Sequence, residues 1–159
     1  EIKHGLTSFQ PVEHRMRPLR LKSGAFVLDD TYNSNPSAAR AALETLKQVA
    51  GLPAGRQEKR KMVAVLGDML ELGKDEIERH KELGGAAKQI GVNYLIGVGP
   101  LSKHMVEAYG AKNSTLVHDT NSVLPRLLPL LKKNTVALIK GSRSIGLDKV
   151  VEKLQPHNI

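Results

Sequence analysis

A chain of 159 residues, 40% hydrophobic and 25% charged, has the size and composition of one globular domain with a full-sized core. It has no cysteine, which excludes disulfides, thiolate metal sites and thiol catalysis and favours a cytoplasmic origin. A formal charge of +8 reads for most of the basic residues as a solvated, positively biased surface and for a few as a face suited to small polyanions such as nucleotide phosphates, whereas 3% aromatics and no tryptophan argue against a base-stacking nucleic-acid surface.

No apolar run is long enough to span a bilayer and no signal peptide is read at the start, so no membrane insertion is expected. Residues 14–21 and 25–29 read as two strands of a hairpin turning at Ser23-Gly24. Asn35-Pro36 then starts a helix, Asn as N-cap and Pro at the first helical position. Its apolar face is Ala39, Ala42, Leu43, Leu46 and Val49, and Gly51 ends it. Residues 51–60 are a polar loop. Met62–Leu66 is an apolar run of the buried parallel-strand kind. A helix over 74–90 follows, with Ile77, Leu83, Ala86, Ala87 and Ile90 as its inner face. Tyr94–Val98 is a strand, Pro100 opens a helix to about Tyr109, and Thr115–Val117 is a brief strand. A helix over 122–132 contains Pro125 and Pro129, so a late start or a kink is expected. Thr135–Ile139 is the last strand and Asp148–Leu154 a closing helix.

Strands alternating with helices predict one domain over residues 1–159. It is a Rossmann-like, three-layer α/β/α fold with a mainly parallel sheet and an N-terminal β-hairpin. In such a sheet the strand C-termini share one edge, where ligands bind. Asp29–Pro36, Gly67–Gly73, Gly99–Ser102, His118–Thr120 and Lys140–Ser144 all fall there. Asp30 is suited to a ribose diol, or to stabilising its own turn. Tyr32 is a base platform or a packed edge residue, and the capping role alone explains Asn35. Lys140-Gly141-Ser142-Arg143 is an anion candidate, because glycine allows close approach and the guanidinium fork fits carboxylate or phosphate. Asp68 and Glu71 can meet an ammonium or cation, or serve as first-turn acids. His80 reads as a structural or solvated helix residue. There is no phosphate-gripping Gly-x-x-x-x-Gly-Lys-Ser/Thr loop, no Gly-x-Ser-x-Gly and no His-Glu-x-x-His, so no catalytic set and no metal site is assigned.

Four stretches, in order, carry a family resemblance: Asp29-Asp30-Thr31-Tyr32-Asn33-Ser34-Asn35-Pro36, then Val63 to Gly73 with its Leu-Gly-Asp-Met-Leu-Glu-Leu-Gly run, then His80, then Ile139 to Arg143. From Phe9 onward the chain resembles the C-terminal domain of the Mur ligases, in particular their D-alanyl-D-alanine-adding branch. The resemblance implies the closing domain of a bacterial, cytoplasmic ligase of peptidoglycan synthesis. Such an enzyme uses ATP and Mg2+ to join D-alanyl-D-alanine to a UDP-N-acetylmuramoyl tripeptide. The phosphate loop and metal ligands would lie in a central domain outside this chain, leaving the isolated domain folded but inactive. The family's Arg that reaches the nucleotide phosphates falls on Arg15 and its ribose Asp on Asp30. Tyr32, Asn33, Asn35 and Pro36 fall on the adenine side. Lys140, Ser142 and Arg143, with Asp68 and Glu71, are placed on the dipeptide side. Two departures stand out. His14 occupies a position where this branch usually has glycine, and Gly146-Leu147-Asp148 replaces a usual methionine, which touches acceptor specificity. The alternatives are another Mur ligase, a folylpolyglutamate synthetase or cyanophycin synthetase relative, or a non-catalytic basic module binding nucleotide or RNA.

Overall fold

The computed structural model describes residues 13–52 and 59–154. Pro11 and Val12 of the opening segment, and most of the 51–60 loop, lie outside the described residues. Six strands form one sheet: β1 (Arg17–Arg20), β2 (Phe26–Asp30), β3 (Lys61–Gly67), β4 (Tyr94–Val98), β5 (Ser114–Val117) and β6 (Thr135–Lys140). Their spatial order is β1-β2-β6-β3-β4-β5. Only β1, paired antiparallel with β2, breaks the parallel arrangement. The expected hairpin and mixed α/β/α sheet are therefore present.

Among the described residues five α-helices accompany the strands: α1 (Pro36–Gly51), α2 (Glu76–Ile90), α3 (Ser102–Tyr109), α4 (Val123–Leu127) and, after the last strand, α5 (Asp148–Leu154). The chain steps from β2 through β3 and β4 to β5 in one direction, so right-handed crossovers put α1, α2 and α3 on one face. There Leu43, Leu46, Leu83 and Met105 pack on Leu28, Ala64, Leu66 and Leu138. The return from β5 to β6 reverses direction and places α4 on the other face, with α5. Val123, Leu127, Val151 and Leu154 pack there on Val27, Val65, Ile96 and Ile139. Adjacent residues of each strand thus feed opposite cores, as the two-residue period requires. Each fully buried leucine contributes about 1.5–3 kcal/mol of transfer free energy.

Two sequence expectations are corrected. The 122–132 segment is α-helical only over Val123–Leu127 and continues as a 3-10 turn over Leu128–Leu130. Pro125 falls in the first turn, where no amide is needed, but Pro129 cannot donate to the helix ladder. Ile77, placed on the inner face of α2, is 43% exposed: it lies in the first turn of α2, and the buried face begins at His80. Among the described residues no helix is long and apolar enough to cross a membrane.

Candidate functional site

Insertion of β6 between β2 and β3 brings three loops together at the C-terminal edge of the sheet. Asp30 is in register with Lys140, and Lys140 with Leu66. At this edge the Lys140 ammonium, 3% exposed, lies 2.7 Å from Asp30 Oδ2. It also donates to the Asn33 carbonyl at 2.8 Å. The second Asp30 oxygen accepts from the Met16 amide at 3.1 Å.

Asp29 points the other way and is fully buried. One of its oxygens accepts from the Thr31 hydroxyl at 2.7 Å and from the Thr31 amide at 3.3 Å. The other accepts from His14 Nδ1 at 3.0 Å. His14 has φ 62 and Met16 φ 51, in the left-handed region that glycine adopts without steric cost. This accounts for the glycine expected at position 14 from the resemblance: the backbone needs positive φ there. His14 accepts that conformation and ties its ring to the buried carboxylate. The Tyr32 amide donates to the His14 carbonyl at 3.0 Å, so residues 14–16 run alongside the first rim loop.

Arg15 therefore projects over the Tyr32 ring, its guanidinium 4.2 Å from the ring centroid. Arg143, from the last rim loop, lies over the same ring at 5.5 Å. Among the described residues neither guanidinium has a carboxylate partner. Each cation–π contact contributes about 0.5–1 kcal/mol at an exposed site, too little to neutralise two like charges sharing one ring. Both guanidiniums are thus left to meet anionic groups at this rim. Tyr32, 44% exposed, is thus a platform for arginines, a role the sequence did not suggest. Asn35 caps α1 as expected, its Oδ1 accepting from the Ala38 amide at 2.9 Å, with Pro36 at the first helical position.

An open groove of about 840 Å³ runs between Tyr32–Asn35, Leu70–Leu72 and Ser142–Ser144. Of the residues placed on its dipeptide side, Glu71 and Arg143 are exposed, and three are engaged elsewhere. Lys140 is committed to Asp30 and Asn33. Ser142 is buried, its hydroxyl accepting from the Leu70 amide at 3.0 Å and its amide donating to the Asp68 carbonyl at 3.2 Å. Asp68 is 1% exposed. Its carboxylate accepts from the Leu101 amide (3.1 Å), the Ser102 amide (2.7 Å) and the Ser102 hydroxyl (2.7 Å). It caps α3 from across the sheet and is not open to an ammonium or cation. A signal for this was present: Leu101, at the N-cap of α3, has no side-chain oxygen, so the orphan amides need an outside acceptor. His80 is fully buried. Its Nδ1 donates to the Glu76 carbonyl at 2.6 Å, and its Nε2 accepts from the Met69 amide at 3.0 Å. That pattern puts the ring proton on Nδ1 and fixes the loop after β3.

A second hollow, about 700 Å³, lies at the opposite edge of the sheet, with Lys59, Lys61, Lys132 and Lys133 among its lining residues. Among the described residues it contains none of the rim-loop residues and no carboxylate to orient a ligand.

Residues 14–143 match the family profile described as Mur ligase, glutamate ligase domain. The chain is 33% identical over 156 residues to the UDP-N-acetylmuramoyl-tripeptide--D-alanyl-D-alanine ligase of Escherichia coli K12, covering 97% of this chain and 32% of that relative. A solved structure of MurF from Acinetobacter baumannii superposes with a TM-score of 0.81 at 25% identity, over 96% of this chain and 33% of that one. MurF ligase from Thermotoga maritima, solved in complex with ADP, gives 0.76 at 27% identity, over 97% of this chain and 33% of that one. The chain thus spans about a third of the relatives it matches.

Proposed function

This chain belongs to the Mur ligase, glutamate ligase domain family, and from that premise we propose that it is the C-terminal domain of a cytoplasmic D-alanyl-D-alanine-adding ligase. The whole enzyme would join that dipeptide to a UDP-N-acetylmuramoyl tripeptide at the expense of ATP. The observation that carries this reading is the gathering of Arg15, Asp30, Tyr32 and Arg143 at one rim beside a groove. Similarity to a ligase named for this reaction, and to a relative solved with ADP, supports it.

In this reading Arg15 meets the nucleotide phosphates and Asp30 the ribose hydroxyls, with Asn33 and Asn35 on the adenine side. Arg143 and Glu71, the exposed charges of the groove, face the dipeptide carboxylate and ammonium respectively. Ligation through an acyl phosphate develops charge on phosphoryl oxygens, which positioned cations stabilise. Mg2+, when bound, neutralises part of that charge. Among the described residues the rim offers no cluster of ligands for it: Asp29 and Asp68 are buried and each already accepts three hydrogen bonds, Asp30 is paired with Lys140, and Glu71 is a single exposed carboxylate. The metal is therefore assigned to the part of the enzyme outside this chain.

The expected result follows from that division of labour. Residues 1–159 alone show no ATP-dependent ligase turnover, and the full-length enzyme does, measured as phosphate release dependent on both tripeptide and dipeptide. Robust turnover by the isolated chain would refute the proposal.

A further inference from the structure

We infer that Lys140 is a positioning residue for the nucleotide side of the site and makes no contact with the dipeptide. The inference rests on the assignment of Asp30 to the ribose. The Lys140 ammonium is 3% exposed and spans two points of the first rim loop, Asp30 Oδ2 at 2.7 Å and the Asn33 carbonyl at 2.8 Å. Those two points flank the turn carrying Tyr32.

A carboxylate that must accept from a diol has to present fixed lone pairs. Asp30 is held on one side by the Met16 amide and on the other by Lys140, yet stays 17% exposed. Each oxygen keeps an acceptor site, so the carboxylate is oriented without being saturated. Lys140 reaches this point from β6, the strand inserted between β2 and β3. It therefore ties the position of the first loop to the strand that leads into the loop bearing Arg143. Removing the ammonium would free Asp30 to turn away and release the Asn33 carbonyl. Loss of one well-placed hydrogen bond to a charged group lowers the affinity it supports by about 10- to 100-fold.

The test uses steady-state kinetics of the full-length enzyme carrying Lys140→Met, Lys140→Arg or Asp30→Ala. The inference predicts that Lys140→Met raises the KM for ATP by roughly 10- to 100-fold with the dipeptide KM unchanged, and that Lys140→Arg recovers part of the loss. A rise in the dipeptide KM alone, or no change in either, overturns it. Asp30→Ala separates the two levels. If that variant leaves the KM for ATP unchanged, the ribose assignment itself fails. If it raises the KM for ATP while Lys140→Met does not, only the positioning role fails. Should Lys140→Met not fold, Lys140→Arg decides: a shift confined to the KM for ATP supports the inference, and a shift in the dipeptide KM contradicts it.

Discussion

Asp68→Ala is expected to destabilise the domain by about 3 kcal/mol or more, since it removes several bonds to one charged acceptor at about 1.5–3 kcal/mol each. The Leu101 and Ser102 amides would lose their acceptor at the start of α3, and the Ser102 hydroxyl would keep only carbonyl partners, Val98 at 3.1 Å and Leu66 at 3.4 Å. The damage would reach the groove, because the Asp68 carbonyl holds the Ser142 amide while the Ser142 hydroxyl holds Leu70. Asp68→Asn keeps one acceptor oxygen and is expected to lose less. Urea titrations of the three proteins check this. Equal midpoints for Asp68→Ala and the parent would show that the carboxylate does not cap α3. Gly99, at φ +107, brings its backbone against this carboxylate, and a Cβ there would strike it.

Gly84→Ala is the second large effect. Helices α2 and α3 cross with the Gly84 backbone against Met105, and an alanine Cβ would run into the Met105 carbonyl oxygen. The obstacle is backbone, so it cannot move aside as a flexible side chain would. Overpacking of this kind costs about 1–3 kcal/mol and at times more. In a chain of this length each kcal/mol lowers Tm by about 2–4 °C. The neighbouring Gly85 has nothing within 4 Å of a Cβ. Gly85→Ala should therefore raise Tm slightly, because alanine favours a helix interior over glycine by about 1 kcal/mol. Thermal melts of the two variants should move in opposite directions. A shared shift would show that the helix crossing is not what position 84 decides.

Local rules made most elements legible before any coordinates. Asn35-Pro36 signalled the start of α1 through its capping chemistry, and α5 begins and ends where its sequence predicts. What the sequence hid was pairing over long separations. Nothing near Lys140 reveals that its strand slots between β2 and β3, and without that order its partner Asp30, 110 residues away, cannot be named. The same holds for Asp68, whose partners lie at the start of α3, 34 residues on, and for Ser142. Residue type suggested ligand contacts at all three, but burial diverted them to holding loops together. Tyr32 and Arg143 fall on predicted rim loops, and Arg15 is placed near the nucleotide by the resemblance alone. Their meeting on one ring depends on the left-handed turns at His14 and Met16, which a histidine and a methionine do not advertise.

The central claim is that nucleotide meets this domain at the rim formed by the ends of β2, β3 and β6. The most direct measurement is a titration of the isotope-labelled chain with ADP, followed by its backbone amide resonances. The account predicts saturable shifts concentrated at Arg15, Asp30 to Asn35 and Arg143, with Lys61, Lys132 and Lys133 unmoved. Shifts centred on those lysines at the opposite edge of the sheet, with the rim unmoved, would contradict it.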